Sequence, residues 1–108
     1  MTGVDELDRL RPSEGARFLL ELERIEATGR QAHYRAWVLT PTAWHAYDAV
    51  LADDAAVELR PLAMPAPDEL AAMLTTIARL TARAAAGKHD SGLPPWPNRV
   101  LRWRGAGR

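Results

Sequence analysis

The sequence predicts an α+β domain, in which a four-stranded antiparallel meander precedes one long amphipathic helix and an extended C-terminal tail rich in Pro, Trp and Arg. Three observations lead there. Apolar and polar residues alternate within residues 18–39, apolar residues recur at helical spacing from Leu70 to Ala84, and Pro and Gly punctuate the chain beyond Gly87.

A length of 108 residues suits one domain. A hydrophobic share of 47% and a charged share of 26% are those of a globular chain, which excludes wholesale disorder. The absence of cysteine excludes a disulfide framework and any thiolate metal site. No run approaches the roughly eighteen apolar residues of a membrane helix. The opening "MTGVDELDRLRPSEG" is charged throughout, unlike a signal peptide, so a cytoplasmic location is expected.

Residues 1–15, with Pro12 and Gly15, read as a polar leader open to disorder. Residues 16–90 read as the α+β domain. Phe18, Leu20 and Leu22 alternate with Leu19, Glu21 and Glu23, and Ala32, Tyr34, Ala36 and Val38 alternate with His33, Arg35, Trp37 and Leu39. Gly29 lies between the two runs and can take the positive φ of a tight hairpin. Residues 41–53 admit a helix starting at Thr40 with Pro41 in its first turn, or a second hairpin in which residues 44–51 pair with residues 56–62. The strand formers Trp44, Tyr47, Val50 and Val57 and the turn-forming pair Asp53-Asp54 favour the second hairpin.

The helix is clearer. Leu70, Met73, Leu74, Ile77, Leu80, Thr81 and Ala84 would form one apolar stripe covering the sheet, with Pro67 in the first turn, Asp68 and Glu69 at the positive end of the dipole, and Gly87 closing it. Residues 91–108 remain as a basic aromatic tail packed on the domain.

Chemistry is thinly supplied. "GKHDSG" aligns Lys88, His89, Asp90 and Ser91, but neighbours in one loop do not form a relay of nucleophile, base and acid, and the pattern is not a phosphate loop. His33, His45 and His89 lack metal-ligand spacing, while Asp53-Asp54 and Asp68-Glu69 suit a turn and a helix start. No catalytic residue, metal or cofactor is expected.

The tail carries the strongest signal. "LPPWPNRVLRWRG" concentrates three prolines, two tryptophans and three arginines. Residues 1–69 hold thirteen Asp and Glu against seven Arg, and residues 70–108 one Asp against six Arg and one Lys, a split of −6 and +6 in a chain of zero net charge. In an extended segment Arg102 and Arg104 share one face, Leu101 and Trp103 the other. Lys88, Arg99, Arg102 and Arg104 could then hold phosphates while Trp96 and Trp103 stack on bases. Alternatively, both indoles pack on the domain and the arginines pair with the acidic half.

Four antiparallel strands followed by one helix, over residues 16–87, resembles in topology the repeat of the Pur-alpha and whirly-type single-stranded nucleic-acid-binding proteins. That resemblance implies a curved sheet that binds the strand and pairing of two units through their helices. The expected function is therefore a non-enzymatic, homodimeric protein that binds single-stranded DNA or RNA through the tail and one sheet face. The alternative is a protein-interaction or assembly module with a structural tail.

Overall fold

Alternation builds a single antiparallel sheet. In the computed structural model, which describes residues 3–105, the elements are α1 (Val4–Leu10), β1 (Ala16–Ile25), β2 (Gln31–Leu39), β3 (Trp44–Ala52), β4 (Val57–Pro61), α2 (Asp68–Asp90) and β5 (Arg99–Arg104). The sheet order is β4-β3-β2-β1-β5. The fold is thus α+β with five strands and two helices rather than four and one. No described helix is long and apolar enough to cross a membrane.

Both hairpins form, and residues 44–52 are a strand. At the second turn the Asp54 carboxylate accepts the Ala56 N–H at 3.0 Å, and Ala55 takes a φ of 73°. The Asp pair therefore acts through a side chain that mimics a backbone turn.

Phe18, Leu20, Tyr34, Val38 and Leu51 lie fully buried on one sheet face, under α2. From α2 the buried row is Leu74, Ala78, Ala82 and Ala85. This corrects the expected stripe: Met73 and Ile77 are only half-buried and Leu80 is 57% exposed. The three alanines let the helix axis approach the sheet closely, and the larger apolar side chains are displaced to its flank. The helix also runs through Gly87. It closes at Gly92, whose φ is 74°, while the Gly92 N–H donates to the His89 carbonyl and the Leu93 N–H to that of Lys88, the Schellman arrangement.

The opposite face is apolar at one end. Leu19, Trp37 and Leu39 are buried there beneath Leu7 of α1, with Leu10 and Trp44 packed alongside. The leader thus contains a helix, and it covers the apolar end of that face.

The tail belongs to the sheet. Trp96 is 4% exposed, donates its indole N–H to the Gly29 carbonyl at 2.8 Å, and meets Tyr34 edge-on at a centroid distance of 6.5 Å. The Tyr34 hydroxyl in turn donates to the Pro97 carbonyl at 2.7 Å, and burial pushes that phenol above its ordinary range. Two long-range hydrogen bonds thus hold the chain at the end of the first hairpin, where β5 turns back along β1 from Glu21↔Arg99 to Ala16↔Arg104. At the far end Gly15, with φ 70°, lies so close to the Arg104 carbonyl that a Cβ would sit 2.0 Å from it.

Two outcomes are expected. Trp96→Ala removes a buried ring and should cost about 3–5 kcal/mol in urea unfolding, as large aromatic truncations do. Gly15→Ala combines left-handed backbone strain of about 1–3 kcal/mol with a collision against β5. It should lower the unfolding midpoint and loosen the amides of β5 more than those of β2.

Candidate functional site

Because the alanine row carries α2 onto the sheet, its larger flank faces β5 across an open cleft. Met73, Ile77, Leu80 and Ala84 form one wall, Phe18 and Val100 contribute from the sheet, and the volume is about 460 Å³. Met73 and Ile77 are half-buried in this wall and Leu80 is exposed, so a small apolar strip stays open to water.

Cations rim this cleft. Lys88 borders it from the last turn of α2, and Arg102 and Arg104 extend from β5 on the α2 side of the sheet, because they pair with Phe18 and Ala16 of the buried row. No Asp or Glu is among the described residues lining it. Arg104 touches Met73 and lies 3.9 Å from Glu69, a loose pair with an 80% exposed carboxylate. Arg102 donates at 2.9 Å to the Leu101 carbonyl and, like Lys88, has no carboxylate partner among the described residues. An anion entering the cleft would meet two cations free of such partners above an apolar floor.

The six residues singled out from the sequence are thus divided by the fold. Lys88, Arg102 and Arg104 converge on the cleft. Arg99 also lines the cleft, but its guanidinium pairs with Glu6 of α1 at 3.0 Å, so its charge is met within the chain. Trp96 belongs to the core, where its ring face is closed to any base. Trp103 borders the cleft at the edge of the sheet, 57% exposed, with its N–H directed at the Glu14 carbonyl at 3.4 Å. Sequence reasoning missed Met73, Ile77, Leu80 and Ala84 as site residues. Their signal was a stripe wider than contact with one sheet requires.

Outside the cleft, neither sheet face offers a basic surface among the described residues. One is covered by α2. On the other, Arg35 sits between Glu23 at 3.5 Å and Asp48 at 3.3 Å, the latter contact lacking hydrogen-bond geometry at Nε. Nearby, His33 meets Glu26 at 2.6 Å. His45 contacts the Met64 carbonyl at 3.1 Å, and no group of three or more His, Asp or Glu among the described residues is arranged to hold a metal. The two carboxylates beside Arg35 thus meet its charge within the chain.

Comparison with protein families, curated proteins and solved structures finds no match for this chain.

Proposed function

We propose that this chain is a non-enzymatic binding module that takes an acidic segment of a partner protein in the cleft between α2 and β5. One observation carries the reading: apolar walls open to solvent, rimmed by Lys88, Arg102 and Arg104 and lined by no described carboxylate. Arg, Met and Trp are also the residue types that protein interfaces favour at their centres.

Single-stranded nucleic acid is the second reading. It keeps the exposed Trp103 between Arg102 and Arg104, a stacking ring flanked by phosphate binders. Against it stand the burial of Trp96, the covered sheet face, the carboxylates of the other face and an aliphatic floor that gives bases little to stack on. A second copy is also disfavoured at this edge. Two β5 strands across a dyad would bring six arginines together, and like charges placed opposite each other oppose pairing.

The test is fluorescence anisotropy of the full chain with two labelled probes, a peptide of mixed Glu and Val and an oligothymidylate. Peptide binding that weakens with salt is expected. Arg102→Ala and Lys88→Ala should each reduce it about two- to fivefold, the range of exposed ion pairs. Leu80→Asp, at an exposed wall position, should reduce it more than either. Binding of the oligonucleotide but not of the peptide at low salt overturns the protein reading in favour of nucleic acid.

A further inference from the structure

The two edges of the sheet differ in a way that bears on how a partner would bind. In an antiparallel ladder, residues whose N–H and C=O point to the neighbouring strand alternate with residues whose groups point away. The Leu22 N–H donates to the Asn98 carbonyl, which sets the phase for β5: Val100, Arg102 and Arg104 face β1, while Arg99, Leu101 and Trp103 direct their backbone groups outward. On the other edge the Leu62 N–H donates to the Ala46 carbonyl, so β4 directs Val57, Leu59 and Pro61 outward. Pro61 has no N–H to offer there, and β4 is only five residues long. That edge is blunted, whereas β5 contains no proline.

What guards β5 instead is Arg102, whose guanidinium donates to the outward Leu101 carbonyl at 2.9 Å. A charged side chain laid on an open edge discourages uninvited strands. It also selects for one kind of strand. A carboxylate beside Arg102 competes for the guanidinium and leaves the Leu101 carbonyl to an incoming N–H.

We infer that the partner segment runs extended along the outer edge of β5 as a sixth strand, so that its main chain lies at the sheet edge while its acidic side chains reach into the cleft on the α2 side and its apolar ones lie on the other. This deepens the acidic-partner reading and rests on it. Side chains of an added strand that point toward α2 stand beside Arg102 and Arg104, and their methylenes cross Leu80. Those pointing the other way meet Leu101, 39% exposed, and Trp103, 57% exposed. Alternate acidic and apolar residues satisfy both faces at the period of a strand, and the main chain satisfies the edge.

The experiment uses the full chain, isotopically labelled for NMR, and an acetylated peptide of alternating Glu and Val about six residues long, the length of a common strand. Its controls are a peptide of the same composition with the glutamates and valines in two blocks, and an alternating peptide N-methylated at every second residue on the bonded side. Slowed exchange of the Leu101 and Trp103 amides is expected with the alternating peptide, together with weakening of about threefold or more per hydrogen bond lost on N-methylation. Equal affinity of the N-methylated or blocked peptide overturns strand addition while leaving the acidic partner in place. Failure of all three to bind at low salt overturns the acidic-partner reading itself.

Discussion

Closure of the Trp96 indole against Tyr34, with its N–H given to the Gly29 carbonyl, is the interaction on which the rest of the molecule depends. Gly29 is in the turn of the first hairpin, and Trp96 lies 67 residues further along the chain. One side chain thus joins the hairpin tip to the segment that follows α2. A buried ring of this size removes large apolar area from water, and its polar edge is satisfied within the core. Everything beyond it takes its register from this anchor: Pro97 receives the Tyr34 hydroxyl, Asn98 pairs with Leu22, and β5 continues down β1 to Gly15. The prolines of this segment shorten the search for that path, since fixed φ angles lower the entropy lost on ordering.

The cleft is a consequence of the same closure. Helix α2 meets β1–β4 through Leu74, Ala78, Ala82 and Ala85, and this narrow row keeps it close to the sheet. Once β5 is added outside β1, the sheet extends past the helix, and the larger apolar flank of α2 faces the new strand without contact sufficient to bury it. Because Lys88, Arg102 and Arg104 of this basic C-terminal third line the gap, the apolar opening and positive charge coincide. Separately each would be an ordinary surface feature.

Much of this fold was legible in the sequence because local pattern and final environment agree. Phe18, Leu20, Tyr34 and Val38 alternate toward a face that is indeed buried, and Asp53-Asp54 reverses the chain between β3 and β4. What escaped notice depends on distant partners. Helix α1 is seven residues long and buries only Leu7, too weak a period to detect, and without it the burial of Leu19, Trp37 and Leu39 has no explanation. The extended character of the segment that holds Arg102 and Trp103 was visible, but nothing local tells that it pairs with β1. Gly87 and Gly92 are equally capable of ending a helix, and the choice is made by Leu93 closing onto the Lys88 carbonyl. Of the site, the charges were visible and their assignment was not: Arg99 is met by Glu6, Arg104 loosely by Glu69, and Arg102, among the described residues, by the Leu101 carbonyl.

The basic aromatic segment is a strand of the sheet with one bonded and one open side. Amide hydrogen exchange of the free protein, read residue by residue, tests this most directly. The Val100 and Arg102 amides, bonded to β1, should exchange slowly, while those of Leu101 and Trp103, directed outward, should exchange near the rate of exposed loops. Uniformly fast exchange from Arg99 to Arg104 would contradict the account, because it would detach the segment from the sheet and leave the cleft without its second wall.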